Sequence, residues 1–425
     1  MAAQPLPPLR ANRARMQREF GAQAAIGRFG ETGLARIALT PAYNKVRELV
    51  RRWMREAGLQ TRVDAVGNLT GRKEGRVRGL PAVMAGSHLD SQNPGGRFDG
   101  PAGVLAALEA VRRIGESGAP HDHPLEVAAF VGEESACGMT VFGSSVMAGV
   151  VGPREMRRAI HPPTGKSMYE AVAAAGGRPA RAASCVRPKG SLKAFIELHI
   201  EQGPVLEAER VPIGIVDRVV GYARGKVLFE GVAAHSGGQP MPYRRDAAMA
   251  AAEFMVEMER AVRRASARER VTLTFGEVAV RPGWISIVPG GAVLAFDLRA
   301  RTAPTLKRML ERMRRELGRL RRARRVAGRL AGVSILSPCP TSPVVRRALI
   351  RGAEAAGNRW LTLPSGGVHD ACRMAKLCPM GMIFIPSVKG LSHTPEEFTH
   401  FRHLVQGTEA LAGAMLRLAD RRVKT

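Results

Sequence analysis

Four short apolar segments, separated by helical patterns, constrain the fold of this chain more than any other feature. They cover residues 82–85, 125–131, 194–199 and 381–385. Apolar runs of four to eight residues are typical of strands that are buried on both faces, and residues 102–114 repeat apolar positions at helical spacing. We therefore predict an α/β fold with a mostly parallel sheet that is covered by helices.

Polar residues follow each apolar segment, at the point where the strand should end. The sequence SHLD follows the first segment, GEE the second and HIEQGP the third, and the SH of KGLSHTPEE comes a few residues after the fourth. In open α/β sheets, ligands bind beyond the carboxyl ends of the strands. We therefore expect these four segments to converge on one site.

Histidines and carboxylates in these segments form a candidate metal-binding set. The set comprises His88, Asp99, Glu134, His199 and His393. Such nitrogen and oxygen ligands suit divalent cations, and five are too many for one tetrahedral ion with an open position. Two ions that share a bridging carboxylate fit better, and we expect Asp99, in the tight FDG turn, to be the bridge. His88 and His199 would complete one ion, and Glu134 and His393 would complete the other.

Three further features of this set bear on its chemistry. Glu133 and Glu134 are adjacent on an extended segment, so their side chains diverge and cannot both ligate one ion directly. We expect Glu133 to take the proton of an attacking water and to return it to a leaving nitrogen. Asp90, two residues after His88, is expected to orient that imidazole through its second nitrogen. Ligands of these types accept zinc, manganese, cobalt or nickel.

Residues 215–330 have a different pattern and are predicted to form an inserted domain. A strand–helix–strand–strand–helix order, followed by a further short strand with the sequence VSILSP, suits a small α+β, ferredoxin-like sheet with helices on one face. The metal-binding catalytic domain would then comprise residues 1–214 and 331–425. In the insert, His235 could donate a hydrogen bond to a developing oxyanion, and Arg299 could bind a substrate carboxylate. An ordinary loop histidine and a surface arginine are the alternatives.

A net charge of +28 raises the alternative of a nucleic-acid-binding protein. Much of this charge lies in residues 299–329, where leucine and methionine recur as in an amphipathic helix with a basic outer face. Aromatic residues make up only 5% of the chain, and none interleave with the basic run, which argues against a stacking platform for single strands. We therefore interpret the basic face as a solvated surface and do not expect a nucleic-acid partner.

The chain carries no pattern that directs it to a membrane or to an oxidising compartment. Its five cysteines form no CxxC pair, and the N-terminal segment has no apolar core of the kind found in signal peptides. No run approaches the roughly 18 apolar residues that a membrane span requires. We therefore expect a cytoplasmic protein.

The motifs resemble those of the hydantoinase/carbamoylase amidases, a branch of the zinc aminopeptidase and aminoacylase-like superfamily. That group includes N-carbamoyl-L-amino-acid hydrolases, β-ureidopropionases and allantoate amidohydrolases. The resemblance extends from about Phe20 to Leu416, and ELHIEQGP together with GLSHTPEE is its most specific part. It implies cleavage of a linear carbon–nitrogen bond in an N-carbamoyl amino acid or a related ureido acid.

The same resemblance implies roles for individual residues. It assigns two metal ions to the five candidate ligands and the base role to Glu133. It places Gln202, His235, Arg299 and Gly367, the last in the SGGVHD loop, in contact with a carboxylate-bearing substrate. It also implies a homodimer in which the inserted domain forms the interface and acts as a lid. Because all five ligands and the base are present, an inactive paralogue is disfavoured, and a metal-free structural relative stays as a further alternative.

Four departures from the family pattern concern specificity. Ser286 stands where the family commonly has asparagine, Val368 where glycine is usual and Cys137 where an arginine is familiar, and HSGGQPM replaces HAGTTPM. A serine at position 286 weakens any contact that the longer amide made to a carboxylate or ureido group. The substrate therefore stays open between N-carbamoyl amino acids, allantoate or ureidopropionate, and the N-acyl amino acids or peptides that aminoacylases and metallopeptidases of the superfamily cleave.

Overall fold

The chain folds into two compact units, each with its own internal contacts. The structure, a computed structural model, describes residues 9–422, apart from the side chains of Ala267 and Arg268. Unit 1 comprises the residues up to Asp217 and those from Pro340 onward, and unit 2 comprises Arg218–Cys339. Unit 2 ends beyond residue 330, the boundary expected from the sequence, because one further strand belongs to its sheet.

Unit 1 is built around a nine-stranded sheet. Eight strands follow the order β17-β10-β19-β9-β5-β6-β4-β3, and β18 pairs with β10. The strands are β3 (Gln60–Val63), β4 (Leu69–Lys73), β5 (Ala82–His88), β6 (Leu125–Phe130), β9 (Leu192–Ile200), β10 (Ile213–Val219), β17 (Cys339–Pro340), β18 (Trp360–Ser365) and β19 (Met380–Ile385). Two short ribbons lie outside it: β1 (Arg28–Phe29) with β2 (Gly33–Leu34), and β7 (Ile160–His161) with β8 (Lys166–Ser167).

The four central strands are those that the apolar segments predict. Strands β19, β9, β5 and β6 run parallel to one another, and nearly all of their residues are buried. The expectation of a mostly parallel sheet is wrong at the edges, where β10, β4 and β3 pair antiparallel with their neighbours. Residues 64–68 join β3 to β4 by a turn too short for a parallel crossover. The sheet is therefore mixed, with a parallel centre.

Helices cover the parallel strands of unit 1. Helix α12 contacts both α3 and α10, and all three helices pack against the central strands. The helices of unit 1 are α1 (Arg13–Ala24), α2 (Pro41–Glu56), α3 (Pro101–Glu116), α4 (Phe142–Met147), α5 (Pro153–Arg158), α6 (Met168–Ala174), α7 (Val205–Ala208), α10 (Pro343–Ala355), α11 (Asp370–Met374) and α12 (Phe401–Ala419). Within residues 9–422, no helix is both long enough and apolar enough to cross a membrane.

Unit 2 contains a four-stranded antiparallel sheet and two long helices. The strands β11 (Gly221–Glu230), β13 (Thr272–Arg281), β15 (Gly291–Ala300) and β16 (Ala327–Leu336) follow the order β13-β15-β11-β16. Helix α8 (Ala247–Glu269) follows β11, and helix α9 (Ala303–Arg324) follows β15. The two helices share one apolar core with the buried face of the sheet. This strand–helix–strand–strand–helix–strand order is that of ferredoxin-like domains. A separate ribbon joins β12 (Ala234–His235) to β14 (Ile287–Val288).

The basic run of the sequence forms α9. Its leucines and methionines are buried, and most of its arginines lie on the outer face. Several of these arginines are paired with acids: Arg308 with Glu269, and Arg319 and Arg324 with Glu253. Pairing of this kind suits the interpretation of a solvated, ion-paired helix surface.

A close helix crossing in unit 1 can be tested by substitution. A Cβ atom built on Gly352 of α10 would lie 2.2 Å from the carbonyl oxygen of Ala410 on α12. We therefore expect Gly352→Ala to lower the free energy of unfolding by about 1–3 kcal/mol, because the two helices must separate. The measurement is urea unfolding followed by circular dichroism.

The matched control is Gly21→Ala in α1, where no atom lies within 4 Å of the added carbon. This variant should gain about 0.5–1 kcal/mol, because alanine is the better helix former. Equal effects of the two substitutions would contradict the close crossing.

Candidate metal centre

Five predicted ligands come together beyond the carboxyl ends of the parallel strands. His88 is the last residue of β5, His199 is the penultimate residue of β9, and Glu134 follows β6. His393 lies in the loop after β19, and Asp99 lies just before α3. The five residues form two groups, His88 with Asp99 and His199, and Asp99 with Glu134 and His393. In each group the possible ligand atoms lie within 4.8 Å of one another.

The first group is buried and rigidly oriented. His88 Nε2 lies 3.4 Å and His199 Nε2 lies 2.9 Å from the same Asp99 oxygen, Oδ1. The Nδ1 atom of His88 lies 3.1 Å from the carbonyl oxygen of Asp90, and that of His199 lies 2.9 Å from the carbonyl oxygen of Ile200. A carbonyl only accepts, so both Nδ1 atoms donate and both Nε2 lone pairs are left to face Asp99.

The second group uses the other oxygen of the same carboxylate. His393 Nε2 lies 3.4 Å from Asp99 Oδ2 and 3.6 Å from Glu134 Oε1. Its side chain is 49% exposed, whereas those of Asp99 and Glu134 are buried. Each oxygen of Asp99 faces a different group, so this one carboxylate would offer a ligand atom to both.

The backbone around Asp99 approaches the candidate ligands closely. Gly100 has a φ of +82°, and a Cβ atom built on it would lie 2.3 Å from Cε1 of His88. Only glycine combines that φ with so near a ring. Gln202 and His393 also have positive φ values, of 57° and 59°, which are uncommon for residues with a side chain and cluster at functional sites.

The adjacent glutamates diverge, as the extended backbone predicts. Glu134 belongs to the second group, whereas Glu133 belongs to neither and has its Oε2 atom 3.9 Å from Nε2 of His88. Both side chains are buried. A carboxylate at this position lies beside the first group without belonging to it.

Asp90 contacts the second imidazole nitrogen of His88 through its main chain and not through its carboxylate. The imidazole of His88 donates to the carbonyl oxygen of Asp90, and the Asp90 carboxylate is 3.7 Å away from the same nitrogen. The carboxylate instead accepts the backbone N–H groups of Gly132, Glu133 and Glu134. A buried carboxylate needs several donors, and this turn supplies three. Asp90 therefore orients His88 through its main chain and fixes the paired glutamates through its side chain.

Burial and mutual charge divide the carboxylates of the cluster. Burial acts to raise the pKa of Asp99, but the surrounding histidines, His199 first, hold it well below its usual range. Burial raises the pKa of Glu133 well above its usual range; His88 opposes this effect, and Glu134 adds to it. Burial, followed by the charge of Asp99, raises the pKa of Glu134 to about 7. Added positive charge would therefore be stabilised beside these buried carboxylates.

The residues present fit a pair of divalent cations. Nε2 of His88 is a buried nitrogen without a hydrogen-bond partner, which is costly unless a cation takes its lone pair. The remaining donors are imidazole nitrogens and carboxylate oxygens, the ligand types that zinc, manganese, cobalt and nickel accept. The main-chain acceptors behind His88 and His199 are of the kind that orient ligating histidines in metalloproteins.

Two predicted substrate contacts lie in unit 1, beside the second group. Nε2 of Gln202 lies 2.7 Å from Asp99 Oδ2 and 3.3 Å from Nε2 of His393. A Cβ atom built on Gly367 would lie 2.8 Å from Oε1 of the same glutamine. Gln202 thus touches the candidate ligands directly, and Gly367 leaves room for it.

The other predicted substrate contacts belong to unit 2. Nδ1 of His235 accepts the N–H groups of Gly237 and Gly238, so the ring proton lies on Nε2, where it can be donated. The guanidinium of Arg299 is held by Asp297, with N–O distances of 2.9 and 2.8 Å. The carbonyl of Ser286 accepts the N–H of Ser236. Their roles toward a substrate stay predictions.

Sequence reasoning assigned no role to three residues that contact the candidate ligands. Gln92 donates from Nε2 to Glu134 Oε2 at 2.6 Å, and the hydroxyl of Ser392 lies 2.9 Å from Asp99 Oδ2. Glu397 accepts the backbone N–H of Asp99. All three lie in segments that carry the family resemblance, so nearness in sequence to a ligand was the available signal.

Cys137, which stands where an arginine is familiar in the family, is buried. Its thiol donates to the carbonyl oxygen of Met139, so this departure from the family pattern lies in the protein interior.

Comparison with known proteins places this chain in a family. Residues 82–417 match peptidase family M20/M25/M40. The chain is 37% identical over 396 residues to the N-carbamoyl-L-amino acid amidohydrolase of Geobacillus stearothermophilus, covering 93% of this chain and 96% of that protein. It is 33% identical over 395 residues to the allantoate amidohydrolase of Escherichia coli, covering 91% and 93%. It is 34% identical over 413 residues to the ureidoglycolate hydrolase of Oryza sativa, covering 95% and 84%.

Two solved structures agree with this placement. The crystal structure of a hydantoinase/carbamoylase family amidase from Burkholderia multivorans superposes with a TM-score of 0.90 at 33% identity, covering 97% of this chain and 99% of that one. An amidase of the same family from Burkholderia ambifaria gives a TM-score of 0.89 at 35% identity, covering 99% and 100%. The chain therefore belongs to peptidase family M20/M25/M40 and is a carbon–nitrogen amidohydrolase of the hydantoinase/carbamoylase kind.

Proposed function

We propose that this enzyme hydrolyses the carbamoyl group of an N-carbamoyl amino acid or a related ureido acid, and that it does so with two divalent cations. The observation that carries the proposal is the Asp99 carboxylate, whose two oxygens face separate groups of ligands. The relatives that cover nearly the whole chain support the substrate class, since one is named for carbamoyl amino acids and another for allantoate.

The two cations would be held by His88, Asp99 and His199 on one side and by Asp99, Glu134 and His393 on the other. When bound, divalent cations polarise a carbonyl and lower the pKa of water. Zinc is the first choice, and manganese, cobalt and nickel suit the same ligands.

Glu133 is the proposed base. Its carboxylate takes a proton from the attacking water as the C–O bond to the carbamoyl carbon forms, and it returns that proton to the substrate nitrogen as the C–N bond breaks. The products are the free amine and carbamate, which decomposes to carbon dioxide and ammonia. Gln92 and the backbone donors to Asp90 hold the neighbouring carboxylates in place, so that Glu133 is the one left for proton transfer.

Unit 2 is proposed to complete the enzyme. His235, whose proton is directed to Nε2, would stabilise the developing oxyanion, and Arg299 would bind the substrate carboxylate. We also propose that unit 2 acts as a lid and forms a homodimer interface. We also propose a cytoplasmic location, because the cysteines of the sequence form no CxxC pair.

The substrate panel is the direct test of this proposal. Purified protein, stripped with a chelator and then reloaded with zinc, manganese or cobalt, should release ammonia from one of N-carbamoyl amino acids, ureidopropionate, allantoate or ureidoglycolate. The stripped protein should be inactive, and reloading should restore turnover. Turnover of N-acyl amino acids or dipeptides, with none of the ureido acids cleaved, would instead indicate an aminoacylase or peptidase.

Substitution of the paired glutamates separates the base from the ligand. Glu133→Gln should keep the wild-type metal content and lose about 10²–10⁴-fold in kcat, because general acid–base catalysis typically contributes that much. Its neighbour supplies the matched comparison, since Glu134→Gln should reduce the metal content. Elemental analysis and steady-state kinetics are measured on the same samples. A Glu133→Gln variant with wild-type turnover would exclude this glutamate as the base.

A further inference from the structure

Glu397 is a buried carboxylate that ties together the two loops of the candidate metal centre. It is 1% exposed. Its Oε1 atom accepts the consecutive backbone N–H groups of Phe98 and Asp99, at 2.9 and 3.0 Å. Its Oε2 atom lies 2.9 Å from the hydroxyl of Ser392, the residue before His393. The Glu397 side chain therefore holds the backbone of Asp99 and also Ser392, which directly precedes the exposed candidate ligand His393.

The loop that carries Asp99 leaves space for the Glu397 carboxylate at Gly96. A Cβ atom built on Gly96 would lie 2.0 Å from both the carboxylate carbon and Oε1 of Glu397. Any other residue at position 96 would push the carboxylate out of this position. The hydroxyl of Ser392 also lies 2.9 Å from Oδ2 of Asp99, so Asp99, Ser392 and Glu397 form one connected network.

The two groups of ligands depend on this network to different extents. In the first group, His88 and His199 are buried and each is anchored through Nδ1 to a carbonyl oxygen. In the second group, His393 is 49% exposed and is carried by the His393 loop, residues 386–400. Its position therefore depends on how that loop is held, and the loop reaches Asp99 through two residues, Glu397 and Ser392.

We infer that Glu397 is a positioning residue that sets the affinity of the second cation, the one held by Asp99, Glu134 and His393. The inference deepens the proposed function and rests on the two-cation site proposed there. Residues that orient metal ligands typically change metal affinity by about 10–100-fold when they are removed. The loss should fall on one cation, because the histidines of the first group keep their own anchors.

The neighbouring glutamate provides a matched control. Glu396 is exposed and contacts only the side chain of Thr394 among the contacts described for it, whereas Glu397 is buried in the network. Glu396→Ala and Glu397→Ala remove the same atoms one position apart. Glu397→Gln is the conservative variant, since its amide oxygen can accept the two N–H groups and its NH₂ can donate to Ser392.

The experiment is equilibrium dialysis of the full-length protein against a series of buffered free-zinc concentrations, with bound zinc counted by elemental analysis. Wild type and Glu396→Ala should bind two ions with unchanged dissociation constants. Glu397→Ala should bind one ion with an affinity within about threefold of wild type and the other about 10–100-fold more weakly. Glu397→Gln should recover most of that loss. At saturating zinc, the kcat of Glu397→Ala should return toward wild type.

The outcomes separate this inference from the proposed function. Wild type that binds fewer than two ions would overturn the two-cation centre itself. Wild type with two ions and a Glu397→Ala variant with two unchanged constants would overturn the inference alone, as would equal weakening of both ions. If circular dichroism shows that Glu397→Ala does not fold, Ser392→Ala decides in its place, because it removes only the hydroxyl between Asp99 and Glu397.

Discussion

The buried carboxylate of Asp99 is the group on which the rest of the centre depends. A charged group without water is costly unless partners surround it, and Asp99 has histidines on both oxygens and the amide of Gln202 beside Oδ2. Because the two oxygens of Asp99 face different groups of candidate ligands, the position of this side chain fixes the distance between the two groups. The surrounding structure can be understood as what is needed to keep that side chain in place.

The scaffold achieves this with main-chain groups as much as with side chains. Carbonyl oxygens direct the imidazoles of His88 and His199, three N–H groups hold Asp90, and two N–H groups hold Glu397. Main-chain groups at the ends of buried strands have little freedom, so the ligands they direct are arranged before any ion binds. Glycines at positions 96 and 100 leave the space in which these close contacts form.

The sequence predicts the parts of this molecule whose signals are local. The central strands are found because strands buried on both faces are continuously apolar, and the ligands are found because polar residues follow those strands. The edge strand β3, with the sequence QTRV, carries no such run, so the antiparallel edges escape notice. Strand β16 belongs to unit 2 through pairing with β11, more than a hundred residues earlier, and only the fold reveals that partner.

The finer roles in the site are beyond the reach of pattern. Asp90 offers a carbonyl and a carboxylate, both two residues from His88, and the sequence does not distinguish which one the imidazole uses. Glu396 and Glu397 are chemically identical neighbours, and only burial separates them. The convergence of the metal-ligand candidates could be predicted, whereas the hydrogen bonds that hold them required coordinates.

The chain leaves the large sheet for unit 2 and returns to it through adjacent strands, which limits the entropic cost of the intervening segment. The departing strand β10 and the returning strand β17 are immediate neighbours in that sheet, and the side chain of Thr341 accompanies the return with a hydrogen bond to the carbonyl of Val216. The two ends of the segment that forms unit 2 are therefore held side by side in the sheet. Because loop-closure entropy grows only slowly with the length of a loop, changing the length of the segment between these strands costs the sheet little free energy.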